Sequence, residues 1–420
     1  MRLRPVLLAL SLGALPMRGA DTPPRPDLDV VATAHLDTQW RWTVRDTIDD
    51  FLPDTMRGNF AMFEKYPGYV FTFEGAFRYA LMKEYYPADW ERLKGYVAAG
   101  RWKVAGSWWD AVDTHVPSSE SLVRQALYGN GFFRRELGVT SRDVYLPDCF
   151  GFSFSLPSVA AHCGLSAFST QKLTWGAAMK IPFDVGLWEG VDGSSLLASI
   201  NPGDYASELK GDLTLDPDVY ATIDRQAALS GQPVAMRYFG TGDVGLPPFD
   251  SSVAWLEKSL HGPGPLKVRS VSPDQLAKDL AARLTPEERA RLPHYRGELL
   301  LTSHGAGCYT SQAAMKAYNR ANQRLAFAAE AAAVAADGLG GAAYPRGTLR
   351  EAWTRFLWHQ FHDDLTGTSI PEAYTISWND ETIAASAFAD VLSSSVGALS
   401  RALDGRSVSM ARPWDTISEP

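Results

Sequence analysis

The sequence predicts an α/β protein: a mostly parallel sheet with helices between its strands, followed by a region of helices alone. Three observations carry this. Four segments ("DLDVVATAHLD", "RDVYLPD", "PVAMRYFGTGD" and "YRGELLLTSHG") share one pattern, an apolar and partly β-branched run ending in Asp or His beside Gly or Pro. Helix-like stretches lie between them, and strands alternating with helices pair in parallel. From about Tyr318 the pattern changes to Ala-rich sequence with helical periodicity.

In chain order, residues 1–20 ("MRLRPVLLALSLGALPMRGA") place two Arg before an apolar run and small residues. That order reads as a signal peptide and predicts a secreted or periplasmic protein; the run is too short to span a bilayer in the mature chain. An α/β domain is expected over 27–317. Within it Ser119–Leu137 opens as "SSESLVRQ", a capped helix start. A bundle of three helices is expected over 318–405. Its second helix, Thr348–Leu365, carries Leu349, Ala352, Trp353, Phe356, Leu357, Gln360 and Phe361 at helical spacing as one apolar stripe. Arg355, Trp358, His359 and His362 share the opposite face, which would cover a strand-end crevice; the alternative is a helix buried on two sides with satisfied histidines. A third helix follows Pro371.

Composition narrows the partners. The 420 residues are 45% hydrophobic, enough for a full core, and the formal charge is -8 from 40 basic and 48 acidic residues. No long basic run exists, which argues against nucleic acid and anionic membranes as partners. Thirteen Trp offer stacking faces for sugars, although most Trp in any protein serve the core. Three Cys without C-x-x-C spacing make neither a disulfide framework nor a cysteine-zinc site.

In a parallel α/β fold, sites collect at the carboxyl ends of strands. Asp37, Asp148, Asp243 and His304 would then face one crevice. His35 and Asp37 lie two apart and on the same side of a strand, so they could share one ion or simply hydrogen-bond. With Asp148 and a donor from the His362 region, the set His/Asp/Asp/His would suit Zn²⁺, one per chain.

The stretches "AHLDTQWRW", "YLPDCFGFSFSLPSVAAHCGLSAFSTQKLTW", "LWEGVDGSS", "HGAGCYTSQAAMKAYNR" and "QFHDDLTGTSIPEAY" occur in this order. Together they closely resemble the glycoside hydrolase family 38 α-mannosidases. The resemblance implies a zinc-dependent retaining glycosidase acting on mannose-containing glycans. It also implies a seven-stranded, barrel-like β/α domain, a three-helix bundle and β-rich C-terminal domains, of which 406–420 would be the beginning. Carried over residue by residue, it makes His35, Asp37, Asp148 and His362 zinc ligands and Asp148 also the nucleophile. Trp40 would support the sugar and Asp363 would contact it or the ligand shell. Tyr309 and Trp175, inside the matching stretches, are further substrate-binding candidates.

One departure concerns the general acid, expected from the resemblance in the loop before "YTS". That loop here has no carboxylate after Glu298. Asp243, in "FGTGDVGLPP", is the leading substitute, and His304 the second. A chain lacking the acid would be a sugar-binding pseudoenzyme or an impaired fragment. A zinc deacetylase or amidohydrolase is a third reading, but it would not need the "QFHDDLTGTS" helix.

Overall fold

The computed structural model describes residues 26–403. The expected signal segment 1–20 and the expected β start 406–420 both lie outside the described residues.

The central strand is β1 (Asp27–Ala34), buried along nearly its whole length. It runs parallel to β9 (Val234–Thr241) on one side. On the other it meets β10 (Lys267–Ser270) and β2 (Phe71–Glu74), also in parallel, and β2 continues to β3 (Trp102–Ala105). A second sheet has the order β11 (His294–Arg296), β7 (Val185–Glu189), β8 (Ser195–Ser199), β6 (Ala167–Ser169), β4 (Asp143–Tyr145). A short antiparallel ribbon joins β5 (Gly151–Phe152) to β12 (Leu299–Leu300). The parallel expectation holds for most pairs, but β7 and β8 are antiparallel.

Among the described residues the strands therefore divide into two five-stranded sheets and a ribbon, rather than forming one seven-stranded sheet. The seam falls between β3 and β4. There the Asp143 side chain, not a backbone ladder, accepts from the Gly106 N–H at 3.2 Å. Each sheet carries its own packed aromatics: Trp102 meets Phe71 edge-on at 4.9 Å, and Phe168 meets Trp188 at 4.7 Å.

Gly240 shows how closely β9 approaches β1. A Cβ there would sit 1.8 Å from the Thr33 carbonyl oxygen, and its φ is +151°. Only glycine fits, and the loop after it is thereby laid against the end of β1.

Helix Ser119–Leu137 forms where expected, with Ser118 Oγ accepting from Ser121 N at 3.3 Å and Gly138 closing it in the left-handed region. The helical region contains Ala313–Gly338, Arg346–Trp358, the short His362–Thr366 and Pro371–Ala402. The expected single helix over Thr348–Leu365 is two. Its apolar stripe is buried as predicted. However, two backbone bonds to another segment pull the chain out of helix, Asp113 N to Gln360 O and His362 N to Ala111 O, which together form the antiparallel Val112–Phe361 bridge. Helix Pro371–Ala402 is long and apolar enough by composition to cross a membrane. In this fold its inner side packs Phe388 and Ala384 and buries Glu381 against Asn322.

Candidate active site

Strand β1 delivers His35 and Asp37 just past its carboxyl end. The β9 loop fixes them: His35 N donates to Thr241 O (3.0 Å), Gly245 N to His35 O (2.9 Å) and Asp37 N to Asp243 O (2.8 Å). Asp148 follows β4, and His362 begins the short helix created by the break described above. These three segments bring four donor atoms within 4.8 Å of one another, from His35, Asp37, Asp148 and His362. All four residues are buried. The expected convergence is met.

Their orientation suits a cation. His35 Nδ1 lies 2.8 Å from Glu74 Oε1, and His362 Nδ1 lies 3.1 Å from the Ala111 carbonyl oxygen. An imidazole that donates from Nδ1 presents a lone pair at Nε2. Both Nε2 atoms face carboxylate oxygens: His35 is 2.9 Å from Asp37 Oδ1, and His362 is 3.2 Å from Asp37 Oδ1 and 3.6 Å from Asp148 Oδ2. His362 Nε2 is buried with no hydrogen-bond partner. Two nitrogen and two oxygen acceptors converging in a buried space need positive charge among them. Protonated imidazoles or a bound metal ion would supply it, and the N₂O₂ set fits zinc. The protonated alternative is visible in the electrostatics. Burial works against charge on His35, but Asp37 and Glu74 outweigh it and bring its pKa up to about 10. Burial would raise Asp37, but His35 and His362 prevail and hold it at about 2.

Asp148 divides its two oxygens. Oδ2 faces the cluster, while Oδ1 is ion-paired with buried Lys172 and lies 3.1 Å from Tyr205 Oη. Burial opposes its charge, yet the His362 contact, Lys172 and His35 together hold its pKa far below the usual range. Gly151, just beyond, has φ +114°, so the sharp turn expected there is present. Cys149, between them, is buried with Sγ on the Val112 carbonyl oxygen.

Asp243 is the neighbouring acid. Tyr205 Oη lies 3.0 Å from Asp243 Oδ1, which together with its contact to Asp148 keeps the two Oδ1 atoms no more than about 6 Å apart, a bound compatible with the separation of about 5–5.5 Å in retaining glycosidases. A phenol has one proton and can donate to one carboxylate only. Tyr205 therefore links the two carboxyl groups through a single phenolic proton. The pKa of Asp243 is raised, by burial and also by Asp37 and Asp148, against the opposing pull of His35 and the Tyr205 contact. His304 behaves differently. It stacks on Phe150 at 5.7 Å and meets Trp175 edge-on at 5.0 Å, and burial and Lys172 lower its pKa. It also does not follow a parallel strand, because "LLLTSHG" enters the antiparallel ribbon with β5.

The remaining candidates are distributed around this centre. Trp40 is partly exposed and covered by the Arg41 guanidinium at 4.1 Å. Trp175 is 37% exposed, over Lys172. Asp363 is buried, with Oδ2 3.6 Å from His362 Nε2; burial and Asp37 raise its pKa. Tyr309 spends its hydroxyl within 3.1 Å of Asp113 Oδ2 and the Phe150 carbonyl oxygen, bracing the loop after Asp148. Of the face expected to cover the crevice, only His362 reaches it. Arg355 pairs with Asp380 (2.6 Å), Trp358 stacks on Phe77 (4.5 Å), and His359 lies between Asp364 (2.7 Å) and Asp380 (3.3 Å). His359 is thus a satisfied core histidine. Sequence reading missed Glu74, Lys172 and Tyr205, since none sits in a spacing pattern that signals its partner.

The scaffold is an α/β domain joined to a helical region. It superposes on an α-mannosidase from Enterococcus faecalis V583 with a TM-score of 0.72, covering 90% of this chain and 43% of that one at 18% identity, a likeness of fold. Residues 26–298 match the glycosyl hydrolases family 38 N-terminal domain, and 304–399 match the α-mannosidase middle domain. The chain belongs to glycosyl hydrolase family 38. It is 33% identical over 346 residues to α-mannosidase G of Dictyostelium discoideum and 31% identical over 341 residues to α-mannosidase 2C1 of Homo sapiens. Those alignments cover 82% and 80% of this chain but 30% and 31% of the relatives, so it spans about a third of their length.

Proposed function

We propose that this chain carries the catalytic centre of a zinc-dependent, retaining α-mannosidase that removes terminal α-linked mannose from glycans. The observation that supports this most is the placement of Asp148, with one oxygen on a four-donor cluster and the other linked through Tyr205 to Asp243. His35, Asp37, Asp148 and His362 would hold the zinc. Bound there, the ion would supply Lewis-acid charge stabilisation and a template for vicinal sugar hydroxyls.

The chain's own residues account for the proton and the bond changes. Asp148 forms a bond to the anomeric carbon as the glycosidic C–O bond breaks, and Asp243 gives its proton to the leaving oxygen. Asp243, now ionised, then takes a proton from water as that water attacks the anomeric carbon and expels Asp148. Lys172 keeps Asp148 ionised and oriented throughout. Trp40, Trp175 and Asp363 line the approach for a neutral sugar. The pseudoenzyme reading drew on the lack of an acid in the loop before "YTS"; Asp243 offers one from another segment. Export to the periplasm or beyond is proposed from the leader sequence alone.

The test is direct. A 5-fluoro mannosyl fluoride should add one sugar to the peptide containing Asp148, and Asp148→Asn should lose at least about a thousandfold in rate. Turnover in that variant near the parent rate would overturn the assignment.

A further inference from the structure

A cavity of about 720 Å³ lies between helix Ser119–Leu137 of the α/β region and helices Ala313–Gly338 and Arg346–Trp358, sharing no residue with the catalytic cluster. Arg134 and Arg135 reach it from one side, Arg346 and Arg350 from the other. A fifth arginine, Arg124, is neutralised there by Glu330 through contacts of 2.9 and 2.5 Å and by Glu120 at 2.7 Å. Glu330 is the single acid in the lining, and Arg124 consumes it. The other four arginines form no ion pair among the described residues. Nearby Glu136 is taken by Lys83 at 2.6 Å.

Concentrating four unpaired guanidinium groups in a chain of net charge -8 costs mutual repulsion. The cost is visible at Arg135, whose pKa is lowered by burial and then by Arg350 and Arg134. Guanidinium forks match phosphate oxygens bidentately, and four of them exceed what a single carboxylate or sulfate could satisfy. Tyr128 and Tyr344 add two half-buried aromatic walls with hydroxyl groups. The volume falls within the range of about 300–1,000 Å³ typical of small-ligand sites, and the four arginines, all at exposed positions, line one cavity from two helices. Both features favour a compact, highly charged ligand over an extended polymer.

We propose that this cavity binds a small ligand carrying two or more phosphate groups, recognised by Arg134, Arg135, Arg346 and Arg350.

The probe is inorganic tripolyphosphate, added to the full chain at constant ionic strength set with KCl, with thermal unfolding and calorimetric titration as readouts. At about a hundredfold excess over the dissociation constant, the expected rise in Tm is about 2–5 °C. The double variant R134Q/R350Q, both at exposed positions, should fold and lose that rise, whereas R289Q/R291Q, which removes equal charge outside the cavity, should keep it. ATP and a hexose bisphosphate, tested in parallel, separate a nucleotide source from a sugar source by which one saturates at lower concentration. No rise above the KCl control overturns the proposal. So does an undiminished rise in R134Q/R350Q.

Discussion

Replacing Asp243 by Asn tests the division of labour between the two carboxyl groups. The amide keeps the volume and an acceptor for Tyr205, so the 3.0 Å contact can persist, but it cannot release a proton to a leaving oxygen. At its ordinary value of 3.8 an aspartate is protonated in roughly one molecule in a thousand at pH 7, a deficit of about 4 kcal/mol. Burial and the Asp37 and Asp148 charges reduce that deficit, against His35 and the Tyr205 contact, as the proposed acid role requires. Removing a general acid costs about 10²–10⁴ in rate when the leaving group needs a proton, and little when it does not. We therefore expect kcat/KM for methyl or disaccharide α-mannosides to fall about a thousandfold in Asp243→Asn. For 2,4-dinitrophenyl α-mannoside the fall should stay within about tenfold. The assay is initial-rate hydrolysis with both substrates on one preparation, with far-UV circular dichroism as the folding control. Equal losses on the two substrates, or no loss on either, would refute the role given to Asp243. In the latter case His304→Ala becomes the next variant to assay.

Lys172→Met should raise the pKa of Asp148 and move the acidic limb of the pH–rate profile to higher pH by about one unit, a loss of at most about tenfold, confined to the acidic end of the profile; an unmoved limb would show that the imidazoles alone keep Asp148 ionised. Asp143 is buried beneath the sheets, with Oδ2 unpartnered, and burial followed by the Asp274 charge brings its pKa up to about 7. Its folded value lies above the unfolded 3.8, so between about pH 4 and 7 the folded state holds a proton that the unfolded chain has lost, and stability falls as pH rises through that window. Asp143→Asn should remove this dependence and stabilise the protein at pH 8 by about 1–3 kcal/mol, measured by urea unfolding at pH 5 and 8; a variant equally pH-dependent would contradict it.

Some of this was legible in the sequence because it is local. The Ser118 cap, the H-x-D pair on one strand side and the P-D-C-F-G turn each depend on neighbours in the chain. The break at 359–361 left no local mark. No Gly or Pro interrupts the stripe from Leu349 to Phe361, and the helix yields to backbone bonds from Ala111 and Asp113, some 250 residues earlier. That break places His362 in the cluster and returns His359 to the core. Tyr205 and Lys172 were unreadable for a related reason, since each meets Asp148 across a chain separation that carries no periodicity. The strand at 299–300 was misjudged because an apolar run does not reveal whether its partner is parallel or antiparallel.

His35, Asp37, Asp148 and His362 converge on one buried space that could hold a cation. Metal analysis of the purified chain by plasma mass spectrometry, alongside His362→Ala, tests it most directly. One equivalent of zinc in the parent and almost none in the variant is the predicted result. A parent that carries no divalent metal, takes none up from stoichiometric zinc at pH 7 and keeps its stability in chelator would contradict it.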